Sequence, residues 1–177
     1  MLVDGYNVIR AGSRYLHLAE QTPDHSQDAF NAAREALLSD VASFAGREYK
    51  ATVVFDGAGN PSSAGERKTF GTVEYLFSPH RVSADTVIEE LAHKAVQKGK
   101  EVLVVTSDAT LQWTVFGHKV VRMSAAGFCE EMQAIRQSLD EISCQDSNFI
   151  ARKTTLGERI DAEVAAKLEE LTRKKGK

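Results

Sequence analysis

The 177-residue sequence predicts an α/β domain, in which helices cover both faces of a mainly parallel central sheet of about five strands. Two observations predict this class. Short apolar or β-branched runs alternate with stretches of helical periodicity, which calls for right-handed crossovers between parallel strands. The run Ala51-Thr52-Val53-Val54-Phe55 also lacks polar alternation, as expected of a strand covered on both faces.

The elements follow in order. Met1 to Val3 is a short apolar strand running into the turn pair Asp4-Gly5, and it opens so early that a few preceding residues are expected. Residues 10–25 read as irregular. Ser26 caps a helix over 27–45, whose inner stripe is Phe30, Ala33, Leu37, Val41 and Phe44. The second strand, 51–55, ends in Asp56-Gly57. A Gly/Ser/Pro-rich stretch, 57–71, leads to a third strand over 72–77. Ser83 caps a helix over 84–98 that turns Val87, Ile88, Leu91, Ala92 and Ala95 inward. The fourth strand is 101–106, followed by a short helix over 109–116 and a fifth strand over 119–122. Ser124 opens a long helix to about 141, with the stripe Phe128, Met132, Ile135 and Leu139. Residues 156–173 form a last helix, with a basic tail to Lys177. The domain reading is 1–145 for the α/β body and 146–177 for a helical extension packed on it.

Composition sets the outer bounds. At 42% hydrophobic and 27% charged, the chain can bury a full core, which excludes collagen, a charge-dominated disordered chain and a disulfide scaffold. Cys129 and Cys144 have no neighbouring thiol and read as reduced, and the five histidines show no zinc-like spacing. No secretory leader or membrane span is visible, so a cytoplasmic protein without membrane contact is expected. The net charge of -3 gives no global attraction for polyanions, so any such site must be local.

The local feature is a set of acids. Asp4 follows the first strand, Asp56 the second and Asp108 the fourth, while Asp85 opens a helix with Glu89 one turn later. Parallel sheets put their sites outside these strand ends. Crowded carboxylates repel unless a cation sits among them, and all-oxygen donors suit Mg²⁺ or Mn²⁺. Asp4, Asp85 and Asp108 are the expected ligands of one or two ions, with Asp56 and Glu89 in support. Such ions acidify a bound water and neutralise charge on a phosphate, which is the chemistry of phosphodiester hydrolysis. No phosphate-binding G-x-x-x-x-G-K-[ST] loop and no dinucleotide fingerprint is present, so no organic cofactor is expected. Arg10, Arg14, Lys68, His80, Arg81 and Arg122 near the same rim, with Tyr6, Trp113 and Ser107, form a candidate surface for single-stranded nucleic acid.

The segments Val3-Asp4-Gly5-Tyr6-Asn7, Val54-Phe55-Asp56, Ala84-Asp85-Thr86-Val87-Ile88-Glu89, Thr106-Ser107-Asp108 and Gln112-Trp113-x-x-Phe116-Gly117 resemble the YacP-like NYN domains of the PIN-like nuclease superfamily. The resemblance runs from Met1 to about Leu139. It implies a PIN-like three-layer α/β/α fold and a metal-dependent endoribonuclease that leaves a 5′-phosphate and a 3′-hydroxyl. It further implies mRNA as substrate and association with the ribosome. Carried over position by position, it assigns acids to Asp4, Asp56, Asp85 and Asp108, and it adds Asn7 as a residue orienting Asp4 or a substrate oxygen. The chain departs from the family pattern at Leu111, often Glu, and at Ala126-Gly127, often Arg-Glu. Those departures motivate an alternative, a non-catalytic RNA- or ribosome-binding adaptor on the same fold. A small-molecule phosphatase is a further use of the same carboxylates.

Overall fold

A computed structural model describes residues 1–20, 27–57, 59–108 and 119–151. The chain divides into two compact units, Met1–Gln133 and Ala134–Lys177. The first holds β1 (Leu2–Asp4), α1 (Gly5–Ala11), α2 (Ser13–Glu20), α3 (Gln27–Ala45), β2 (Thr52–Phe55), β3 (Arg67–Phe70), β4 (Val73–Phe77), α4 (Ala84–Gln97), β5 (Val102–Val105) and β6 (Val120–Met123). Helix α5 (Ala125–Ala151) begins in the first unit and supplies the described part of the second.

The sheet order is β3-β4-β2-β1-β5-β6. Every neighbouring pair is parallel except β3–β4. The chain builds outward from β1 through β2 to β4, then returns through α4 to β5 on the other side of β1. Strand order therefore reverses beside β1, and the carboxyl ends of β1, β2 and β5 meet at that reversal.

Alternation along the strands divides the core. Leu2, Val54, Leu76, Val102 and Val104 face α4, meeting Ala84, Ile88 and Ala92 in one cluster. Val3, Val53, Phe55 and Val105 point to the opposite face and are fully buried. On that side the Tyr6 ring of α1 meets the Phe55 ring 5.4 Å away, and Phe44 of α3 meets Phe128 of α5 at 5.3 Å. The arrangement is the mainly parallel α/β/α sandwich that the pattern predicts.

Three local expectations are corrected. The stretch 10–25 is not irregular up to Glu20, because α1 and α2 occupy 5–11 and 13–20. Asp4 ends no turn but caps α1, accepting the Asn7 N–H at 3.1 Å. The 57–71 stretch contains a sixth strand, β3, whose four residues are all exposed and so show no burial pattern to read. Gly71, with φ 57°, makes the tight β3–β4 turn. The caps Ser83 and Ser124 are confirmed: each side chain accepts a backbone N–H, from Thr86 at 3.2 Å and from Gly127 at 2.9 Å. The Ser26 cap, the helices 109–116 and 156–173 and the basic tail lie outside the described residues.

Candidate active site

The opening strand delivers Asp4 to the sheet edge and the helix after it fixes the carboxylate. Asp4 is buried, at 8% exposure. One oxygen accepts the Asn7 N–H and the other accepts the Thr106 hydroxyl at 3.4 Å. Burial pushes its carboxyl above the ordinary range, with Asp85 adding to the rise. The Asn7 N–H, the Thr106 hydroxyl and Arg10 oppose that rise. Gly5 is required here for space, because a Cβ on it would lie 2.4 Å from the Phe55 ring. The Gly of Asp4-Gly5-Tyr6-Asn7 thus lets α1 start directly against β2.

The turn after β5 is tied to the same place. Asn7 Oδ1 accepts the Ser107 N–H at 3.0 Å, joining residues 100 positions apart. Thr106 Oγ1 accepts the Asp108 N–H at 3.1 Å while its hydroxyl faces Asp4. Ser107 Oγ accepts the Ala125 N–H at 3.0 Å at the start of α5. The Thr106-Ser107-Asp108 segment is therefore a junction of β1, β5 and α5. Asn7 is a strap across it, a role no single-residue pattern in the sequence reveals.

Asp85 stands half-buried in the first turn of α4. Burial raises its carboxyl pKa, and Asp108, Asp56 and Glu89, in that order, raise it further by repulsion. The five acids therefore share one electrostatic neighbourhood. Asp56 is exposed and receives the Ser78 hydroxyl at a marginal 3.5 Å. Among the described residues, no three His, Cys, Asp or Glu side chains are grouped closely enough to hold a metal ion. The donor chemistry fits a hard divalent cation; the side-chain positions do not close a three-ligand shell around one.

The proposed substrate-binding residues fall into separate places. Tyr6, Arg10 and Lys68 line a cleft of about 780 Å³ beside α1, with Phe30 and Arg34 of α3, Phe77 of β4 and residues 62–66. His80 and Arg81 are exposed in the loop before α4, where Arg81 holds a left-handed φ of 64°. Arg122 is exposed on β6, opposite Val104. Arg14 is engaged with buried Asp40 at 2.6 Å, and the Tyr15 hydroxyl donates to the same carboxylate at 2.7 Å. Trp113 and Leu111 lie outside the described residues. Phe30, read from the periodicity as core, is 48% exposed, and its ring meets Tyr6 edge-on at 6.3 Å. The cleft residues that sequence reasoning missed are Phe30 in this role, Phe77 and Arg34. The spacing of Phe30 and Arg34 by one helical turn was the available signal.

Residues 1–173 match the YacP-like NYN domain family. The chain belongs to that family. The curated protein YacP of Bacillus subtilis (strain 168), described as uncharacterized, is 29% identical over 140 residues, which is 79% of this chain and 78% of that protein. The crystal structure of Rae1 (YacP) from Bacillus subtilis superposes with a TM-score of 0.63 at 29% identity, covering 97% of this chain and 93% of the other. A tryptophan-to-leucine mutant of Rae1 gives a TM-score of 0.61 over 89% and 87% of the two chains. No helix among the described residues is long and apolar enough to cross a membrane.

Proposed function

We propose that this YacP-like NYN domain is a metal-dependent endoribonuclease that cuts mRNA in association with the ribosome. The observation that carries the reading is the electrostatic crowding of Asp85 by Asp108, Asp56 and Glu89 at the strand-order reversal. Such crowding disfavours the ionised fold, and a cation relieves it. Asp4, Asp85 and Asp108 would hold one or two Mg²⁺ or Mn²⁺ ions, with Asp56 and Glu89 in support. When bound, the ion supplies charge neutralisation at the phosphate and an acidified water.

The chain's own residues perform the rest. Thr106 and the Asn7 N–H hold the Asp4 carboxylate in one orientation. Asn7 fixes the peptide of Ser107, and with it the direction in which Asp108 leaves β5. Arg10 offsets part of the negative charge around Asp4. His80, Arg81, Arg122, Ser107 and Trp113 would contact the RNA chain around the acids. The soluble, cytoplasmic setting belongs to the same proposal.

A second reading, an RNA- or ribosome-binding adaptor, is favoured by the absence of a three-ligand group among the described residues. Wild type and Asp85→Asn, each incubated with free RNA and with translating ribosomes in Mn²⁺ or EDTA, separate the two. Internal cuts that need Mn²⁺ and vanish in the folded mutant are the expected result. Intact ribosome binding with no cleavage in either setting would establish the adaptor instead.

A further inference from the structure

The cleft beside α1 lies next to the acids but shares none of them. Its volume, about 780 Å³, is in the range of small-ligand sites, about 300–1,000 Å³. Its lining is unusual in holding aromatic rings and cations without an equal number of acids: Glu66 is its one carboxylate against Arg10, Arg34 and Lys68.

Arg34 organises the interior. Its guanidinium lies over the Phe77 ring, 5.3 Å from the centroid, and donates to the Tyr6 hydroxyl at 2.8 Å. A second nitrogen donates to the Asn31 side chain. Held in this way, the flat guanidinium and the Tyr6 and Phe30 rings offer surfaces of the kind on which unstacked bases lie. By contrast, Arg14 is engaged by Asp40 and Arg67 by Glu74. Among the described residues, no carboxylate pairs with Arg10, Arg34 or Lys68 within salt-bridge distance. Those three form no such ion pair and can meet an external anion, Arg10 also offsetting part of the charge at Asp4.

The walls are braced. Ser63 Oγ donates to the Ser78 carbonyl at 2.7 Å, and the Ser63 carbonyl accepts the His80 N–H at 2.9 Å. The Gly57 N–H donates to Ser78 Oγ at 2.9 Å. The 60–66 loop is thus fastened to the loop that precedes α4 and its Asp85. Tyr6 stands in the first turn of α1, two residues beyond Asp4, and Arg10 about one turn further along.

We infer that this cleft is a nucleotide pocket of the proposed ribonuclease. It takes one unstacked base of a single-stranded RNA against Arg34, Tyr6 and Phe30, with an adjacent phosphate on Arg10 and Lys68. The RNA then runs from the pocket along α1 to the acids. This inference rests on the ribonuclease reading for the identity of the polymer, but binding can be read without cleavage.

The test uses the full chain in EDTA and a fluorescein-labelled tetrauridylate, followed by anisotropy. A tetranucleotide with one abasic position and free UMP serve as the other ligands. Arg34→Ala and Phe30→Ala should each weaken tetrauridylate binding about tenfold or more, in line with a lost stacking surface. Arg34→Lys, which keeps charge but not the plane, should lose nearly as much as Arg34→Ala. Wild type should bind the abasic ligand about as weakly as Arg34→Ala binds the intact one. Lys68→Ala should flatten the salt dependence by about 0.7 in logarithmic slope. Thermal melts verify that each variant is folded; Phe30 is half-exposed, so its truncation leaves the core intact.

No binding by wild type, or variants that bind as wild type does, would overturn the pocket. Free UMP binding as tightly as tetrauridylate would overturn the RNA assignment in favour of a mononucleotide. Asp85→Asn separates the two levels: it should abolish cleavage while retaining tetrauridylate affinity. Cleavage that survives with an inactive pocket would leave the ribonuclease reading standing and remove this one.

Discussion

Replacing Asn7 tests the strap between β1 and β5. Asn7→Ala removes the acceptor of the Ser107 N–H, a bond of 3.0 Å, and leaves intact the backbone N–H that Asn7 donates to Asp4. Ser107 is exposed, so its freed N–H finds water and escapes the full penalty of a buried orphan. A net hydrogen bond contributes about 0.5–1.5 kcal/mol, and the exposed setting points to about 1 kcal/mol. For a domain of this size that lowers Tm by about 2–4 °C. Activity should fall much further, because a displacement of the order of 1 Å at a reacting group costs about 100-fold. Asn7→Asp keeps an oxygen where Oδ1 accepts the Ser107 N–H, and should recover most of the lost Tm while adding a negative charge beside Asp4. The assay is a melt of all three proteins together with Mn²⁺-dependent cleavage of ribosome-presented RNA. Asn7→Ala that melts and cuts as wild type does would refute the strap. So would Asn7→Asp matching Asn7→Ala in both readouts, since the oxygen would then be irrelevant.

Other outcomes follow from single contacts. Gly5→Ala forces a methyl into the Phe55 ring, at 2.4 Å, and should lower the urea midpoint by an amount equivalent to about 1–3 kcal/mol; an unchanged midpoint would mean that α1 shifts freely. Arg81→Gly relieves a left-handed residue and should raise Tm by about 2–4 °C, for about 1 kcal/mol, while any loss of RNA cleavage reports the side chain; an unchanged Tm would show that φ 64° costs nothing here. Glu74, bonded to Lys50 at 2.9 Å and to Arg67 at 3.0 Å, has its carboxyl held below the ordinary 4.5, chiefly by the Lys50 hydrogen bond. A lowered folded pKa makes its stabilisation present above 4.5 and lost as pH falls through the lower folded value. The stability gap between wild type and Glu74→Gln, about 0.2–1 kcal/mol per exposed pair and read as a difference in Tm, should hold from pH 7 to 5 and close on further acidification; a gap that opened in acid would reverse the assignment.

Legibility in the sequence tracked burial. β2 and β5 could be read because both their faces are covered, which leaves short apolar runs bounded by turn residues. Asp4, Asp56 and Asp108 were legible for the related reason that each stands where such a run stops, whereas Asp85 was legible as the acid that opens a capped helix. By contrast, β3 lies on the sheet edge with every side chain in water, so neither period nor hydrophobicity marks it. In α1 and α2 the buried side chains are few, and Gly5 and Gly12 stand at positions that ordinarily argue against a helix. Both are needed for close approach: a Cβ on Gly12 would meet the Tyr15 ring at 2.5 Å. Phe30 shows the limit of periodicity. It continues the α3 stripe in register, yet its ring is half-exposed and lines the cleft. Asn7 depends on Ser107, 100 positions along the chain, which spacing within one helix does not encode.

The exposed strand β3 has a further consequence, for colloidal behaviour. An outermost strand offers unpaired backbone groups to any extended chain it meets, and adjacent lysine and arginine are among the devices that discourage such annealing. Arg67 and Lys68 sit side by side on that strand. Lys68 also lines the cleft, so the side chain proposed to meet a phosphate also stands on the sheet edge that must be guarded against self-addition. Variants that neutralise residue 68 should therefore be stored dilute and checked for particle size over time, because their first defect would be aggregation rather than loss of fold.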